Sequence, residues 1–265
     1  MKAIKKIQMA FIGLVTLAAI TLNACKKDVD LTAKPATIKV IEKGGLAFHI
    51  HSLVDSVEIE AYDTIYQLSG GRKFSVTMAQ LYLSNIQLIK LDGSTVDVSG
   101  VIKLKQQQVE ECELGSVPVG NYKSIKFNVG LSAAVNATVP ANTDTTLNHP
   151  DMWFNTAMAQ PDGFVFVNFE GTVDTTAAAN GSVLVPFSYK IGTNANLQTV
   201  TLPDQNFTIL KGQTQEIHIA IDYAKLFDGV QLNNNGNLIM NTVSANATAL
   251  GTMIANNIQK IVSYM

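Results

Sequence analysis

His49 and His51 stand two residues apart in Leu46-Ala47-Phe48-His49-Ile50-His51. On a strand, that spacing points both imidazoles to one face, opposite Phe48 and Ile50. Two imidazoles on one face suit a low-coordinate or tetrahedral site for copper or zinc, once one or two further ligands arrive from elsewhere. A solvated pair on an outward sheet surface is the other reading, and the spacing alone does not choose between them. The chain holds 4 histidines, which narrows the search for the missing ligand. His149 precedes Pro150 in a long loop beside Trp153 and is the expected distant partner. His218, between Ile217 and Ile219, reads as a structural strand residue. Met152 and Met158 are placed to lend soft thioethers to monovalent copper. Trp153, the single tryptophan, reads either as an aromatic plug that pins the loop or, with Phe154, as a contact for a ligand.

Other chemistries find little support. The chain has no Gly-x-Ser-x-Gly elbow, no phosphate loop, no His-Glu-x-x-His pair and no Cys-x-x-Cys, so a binding protein is expected rather than an enzyme. Glu58, Glu60, Glu110, Glu111 and Glu113 fall at alternating or adjacent strand positions, as solvated faces do. Cys112, in the alternating segment Val109 to Leu114, should point inward as an inert thiol.

The N-terminal segment bears on location. Lys2, Lys5 and Lys6 precede an apolar run from Phe11 to Ile20, after which Leu22-Asn23-Ala24-Cys25 reads as a lipobox. Residues 1–24 are therefore expected to be a lipoprotein signal peptide, Cys25 the lipidated N-terminus, and residues 25–36 a polar tether. The mature protein is expected in the cell envelope, lipid-anchored at the periplasmic face or the outer surface of the outer membrane. With a formal net charge of -2, nothing in it attracts nucleic acid, and the membrane contact must come from the lipid. Of the 2 cysteines, lipidation of Cys25 leaves Cys112 alone, so stability must come from burial and not from a disulfide.

The elements that would carry these residues are mostly strands. Thr37 to Glu42 and Leu46 to His51 flank Gly44-Gly45; Val57 to Ala61, Phe74 to Met78 and Leu81 to Leu91 follow. Asp92-Gly93 predicts a hairpin into Thr95 to Val98, and Ile102 to Lys105, Val109 to Leu114 and Lys123 to Val129 continue the rhythm. Residues 131–162 break it with Ala, Asn, Thr and Pro around Met152-Trp153-Phe154, a length of irregular chain more often functional than accidental. Phe164 to Phe169 is apolar at nearly every position and should be centrally buried. Val183 to Ile191, Leu197 to Leu202, Phe207 to Leu210 and Glu216 to Tyr223 complete the strands. Tyr223 to Phe227 suits a short helical turn. From Asn246 to Tyr264, Leu250, Met253, Ile254, Ile258, Ile261 and Val262 make one apolar stripe of a helix. The expected fold is all-β: an antiparallel two-sheet sandwich, immunoglobulin-like or Greek-key, over residues 37–265, with a C-terminal amphipathic helix packed on it.

Several segments, in order, carry a family resemblance. Tyr82-Leu83-Ser84-Asn85-Ile86-Gln87-Leu88, Asp92-Gly93, Val117-Pro118-Val119-Gly120-Asn121-Tyr122, Phe127-Asn128-Val129-Gly130, Met152-Trp153 and Gly163 to Gly171 together resemble the MbnP-type copper-binding family, and Ile254-Ala255-Asn256-Asn257-Ile258 fits its C-terminal helix. Many members of that family resemble lipoproteins of Bacteroidetes. The resemblance implies an extracytoplasmic β-sandwich that binds copper through histidines, assisted in some members by an oxidised tryptophan. Carried to this chain, the first-strand histidine falls at or next to His51 and the loop tryptophan at Trp153. A second histidine of the family lies in a Tyr-His-Ile-Gly segment, where this chain has Tyr189-Lys190-Ile191-Gly192. A protonated lysine repels a copper ion, so His49 or His149 would have to replace that ligand.

Two functions follow. One is a copper-binding envelope lipoprotein using His49, His51 and His149, with Met152 or Trp153 assisting, to sequester or deliver the metal. The other is a surface binding module without metal, in which the 131–162 loop docks a glycan, a peptide or an envelope protein partner through Trp153 and Phe154.

Overall fold

A computed structural model describes residues 40–59, 64–98, 100, 102–106, 110–141, 143–154, 163–243 and 249–265. The signal peptide, Cys25, the tether, Glu60 and Met158 lie outside the described residues.

The strands run in chain order as β1 (Lys43–Val54), β2 (Val57–Glu58), β3 (Ile65–Gln67), β4 (Lys73–Lys90), β5 (Thr95–Asp97), β6 (Ile102–Gln106), β7 (Glu111–Pro118) and β8 (Gly120–Val129). After the short helix α1 (Ala133–Asn136) come β9 (Val165–Asp174), β10 (Leu184–Gly192), β11 (Gln198–Thr201), β12 (Phe207–Ile209), β13 (Thr214–Asp222) and β14 (Ile239–Asn241). Helix α2 (Ala249–Ile261) and β15 (Val262–Tyr264) close the chain.

Among the described residues these form a β-sandwich of two sheets. The smaller runs β15-β13-β1, with β2 and β7 sharing the far edge of β1. The larger gathers β3, β5, β6, β8 and β9 around β4, continuing from β8 to β11 and β12, and from β9 through β10 to β14. Most pairings are antiparallel, as expected, but β1 with β13 and β10 with β14 run parallel. Parallel neighbours need a long connection, and here nearly the whole larger sheet is threaded between β1 and β13.

Burial builds the core between the sheets. Leu46, Phe48 and Ile50 of β1 face Ile125 and Phe127 of β8 and Val167 and Phe169 of β9, all essentially inaccessible. The rings of Phe48 and Phe127 meet across the sheets at 6.1 Å. Each such side chain contributes on the order of 1.5–3 kcal/mol of burial free energy. β9 lies between β4 and β10 and is buried on both faces, because Tyr82, Leu131, Met152, Trp153, Phe164 and Phe166 form a second apolar cluster on the outer side of the larger sheet.

Three local expectations change. Gly44-Gly45 lies inside β1 and not ahead of it; a side-chain carbon on Gly44 would lie 2.2 Å from the Leu210 carbonyl oxygen and one on Gly45 would lie 2.5 Å from Thr214 Oγ1. Close strand approach is why glycine stands there. Phe74 to Met78 and Leu81 to Leu91 are one 18-residue strand bent by bulges, with Asn85 in the left-handed region at φ 49° where asparagine is tolerated. The C-terminal helix stops at Ile261, and Val262 to Tyr264 pair instead with β13. Its core face is Gly251, Ile254, Ala255, Ile258 and Ile261, and Met253 turns outward, 40% exposed. Asn257, also buried, donates to the carbonyls of Leu226 and Asp228 at 3.1 and 2.8 Å, tying α2 to the 3-10 turn at Tyr223–Phe227.

Candidate metal centre

β1 alternates as its sequence dictates. Phe48 and Ile50 are buried, while His49 and His51 point outward from the smaller sheet, half-buried. Adjacent strands lie about 4.8 Å apart, and same-face residues on one strand about 6.7 Å apart, so imidazoles on neighbouring strands come within mutual reach. The parallel register with β13 sets His49 directly opposite His218. The three rings cluster accordingly: centroids are 4.6 Å apart for His49 and His51, 4.9 Å for His49 and His218, and 6.0 Å for His51 and His218. One ring nitrogen from each lies within 4.8 Å of the others, close enough to hold a metal ion. Ligands on one copper or zinc ion sit about 3.3 Å apart, so side-chain rotation suffices and no strand need move.

Carboxylates surround the trio. His51 Nδ1–H donates to Glu58 Oε1 at 2.8 Å, which leaves its Nε2 lone pair for a metal, the arrangement in which an outer carboxylate fixes a ligand's tautomer. His49 Nδ1 lies 3.0 Å from Glu216 Oε1 and its Nε2 lies 3.4 Å from Glu110 Oε2. A neutral imidazole has one N–H, so a neutral His49 can donate to one of these two carboxylates only. A second donor group, His49, Glu111 and Glu216, overlaps the first at His49.

Behind the carboxylates, on the core side, stands Lys105. It pairs in register with Leu81 and is 3% exposed. Burial pushes its ammonium down to about 8, partly offset by attraction to Glu110, Cys112 and Glu58. The folded value lies below the unfolded one of about 10.4, so the folded state sheds the proton first and stability should rise with pH from about 8 towards 10. Above that, the buried hydroxyls of Tyr82 and Tyr189, held well above their ordinary range, reverse the trend. Lys105→Met should remove the rise and add up to about 3 kcal/mol at pH 7. Denaturant midpoints from pH 7 to 10 measure both effects; a parent profile flat across that window would refute them.

The other residues singled out by the sequence go elsewhere. His149 belongs to neither donor group; its Nε2–H donates to the Thr145 carbonyl at 2.8 Å, in the loop that covers the outer side of the larger sheet. That places it across the sandwich from His49 and His51, and His218, read as structural, takes the position expected of it. Met152 is fully buried in the second apolar cluster, and Trp153 is 5% exposed, its Nε1–H donating to the Leu147 carbonyl at 3.1 Å. Phe154 is half-buried, its ring packed where a side chain on residue 192 would stand. Trp153 is therefore packed inward as a plug on the larger sheet and, among the described residues, faces no open groove. Lys190 pairs in register with Asn168 and forms an ion pair with Glu170 at 3.4 Å, on that same outer side. The positions at which the family resemblance implies a tryptophan and a second histidine thus lie on the face opposite His51. Cys112 is in register with Phe48, on the core-facing side and half-buried.

A family model, MbnP, matches residues 43–244. Among solved structures, MbnP from Methylosinus trichosporium is similar with a TM-score of 0.54 and 13% identity, over 79% of this chain and 84% of that one, a likeness of fold. No curated protein matches the sequence.

Proposed function

We propose that this chain, which belongs to the MbnP family, is a lipid-anchored copper-binding protein of the cell envelope that sequesters or hands over the metal and catalyses no reaction. The observation that carries the proposal is the grouping of His49, His51 and His218, with ring nitrogens within 4.8 Å and carboxylates behind two of the rings. Imidazole is a good copper ligand, and three of them on a rigid sheet lose little freedom on binding. His218 is exposed and the whole trio opens on the outer face, which favours loading and release over permanent burial of the ion. The proposal moves copper from the tryptophan-bearing side implied by the resemblance, where Lys190 stands, to the opposite face.

The anchor is Cys25. The lipobox Leu22-Asn23-Ala24-Cys25 supports this, since the lipid it directs onto the cysteine is a membrane anchor. Copper and chain are to be measured together in membrane and soluble fractions of cells producing the parent or Cys25→Ser. The parent should sediment with membranes carrying one copper per chain, and Cys25→Ser should be released or remain with its signal uncleaved. A cleaved Cys25→Ser chain still held by membranes would sink the anchor; a purified parent free of copper after loading would sink the metal.

A further inference from the structure

Two donor groups meet at His49 on the outer face: His51 and His218 supply its nitrogen neighbours, Glu111 and Glu216 its oxygen neighbours. We propose that the centre is built for divalent copper, held by His49, His51, His218 and the carboxylate of Glu216. The proposal rests on the copper-binding function above and adds an oxidation state and an oxygen ligand to it.

The donor set comes first. Neither group contains sulfur, Cys112 faces the core with Phe48, and Met152 is buried on the far side of the sandwich. Thiolates and thioethers select monovalent copper, whereas mixed imidazole and carboxylate donors suit the divalent ion. Charge points the same way. Glu58, Glu110, Glu111 and Glu216 gather around three imidazoles, a surplus of negative charge that a doubly charged ion matches better than a singly charged one. Glu216 is preferred over Glu111 because it shares β13 with His218, two residues away on the same face, and already reaches His49. At a nitrogen and oxygen site of this kind divalent copper outranks zinc.

The test uses the full lipidated protein in detergent. Cu²⁺ in air and Cu⁺ under anaerobic reducing conditions are each titrated against a competing chelator, and the Cu²⁺ form is examined by electron paramagnetic resonance. One Cu²⁺ per chain is expected, with splitting from three nitrogens. Glu216→Gln should weaken Cu²⁺ by at least about tenfold and Cu⁺ by less than about threefold. Glu113→Gln removes a charge from the same strand face but outside both donor groups, and should change neither. Both glutamates are exposed, so the fold is not at risk in either variant. Retention of Cu⁺ with loss of Cu²⁺ on washing, or equal weakening of Cu²⁺ by Glu113→Gln and Glu216→Gln, overturns the assignment and leaves copper binding standing. Retention of neither ion overturns both.

Discussion

A His218→Ala protein should lose stoichiometric copper binding, with affinity down by at least about a hundredfold, while His149→Ala binds as the parent does. The contrast follows from strand pairing. His218 lies opposite His49 in the β1–β13 register, its ring 4.9 Å from that of His49, whereas His149 is committed to the Thr145 carbonyl on the other side of the sandwich. Removing one imidazole leaves His49, His51 and the Glu216 carboxylate to hold the ion, and a further exposed carboxylate replaces a lost nitrogen poorly for copper. His218 is exposed, so its loss should cost the fold less than about 0.5 kcal/mol, which keeps the binding loss interpretable. Copper titration against a competing chelator, beside a denaturation curve of each variant, decides the matter. Parent-like affinity in His218→Ala, or an equal loss in His149→Ala, would remove the trio as the site.

Half of that centre is legible in the sequence and half is not, for a physical reason. Alternation with Phe48 and Ile50 fixes the outward direction of His49 and His51 locally, one strand at a time. The same alternation exists at His218, flanked by Ile217 and Ile219, yet in the sequence that residue reads as structural. What no local pattern gives is which strand lies beside β1. The pairing with β13 joins residues 169 positions apart, runs parallel in a largely antiparallel fold, and depends on the larger sheet being threaded between them. Proximity in the chain to Trp153 favours His149 instead. The two-sheet architecture was more accessible, because burial alternation, Asp92-Gly93 and the continuous apolar run at Phe164 to Phe169 each report a strand without reference to its partner. Non-local pairing also explains the misplaced end of α2. Val262 continues the helical stripe, yet the pairing of Val262 to Tyr264 with Ile219 to Ile221 gives them a strand instead.

The larger sheet carries the second strong expectation: Gly171→Ala should destabilise the protein by about 3 kcal/mol or more, although it adds a single methyl group. Gly171 sits in the middle of β9, between β4 and β10, in register with Val76 on one side and Phe187 on the other. A side-chain carbon there would lie 1.9 Å from the Ser75 carbonyl oxygen and 2.9 Å from Phe187 Cε1. The first contact is with backbone, which cannot rotate away as a side chain would, so β4 and β9 must separate at the bulge that the register shift between Val76 and Met78 already marks. Their separation would open the core at Phe74, Val173 and Phe187, all buried, where packing tolerates little movement. Gly70→Ala supplies the comparison, because nothing lies within 4 Å of a side-chain carbon at that position and its backbone is not left-handed. That variant should be neutral or more stable by about 0.4–1 kcal/mol through the unfolded chain alone. Denaturant unfolding of the two variants beside the parent measures the difference. A Gly171→Ala midpoint within about 1 kcal/mol of the parent would mean that β4 and β9 have more room than their register implies, and that the tight bulge is not what holds the centre of the larger sheet.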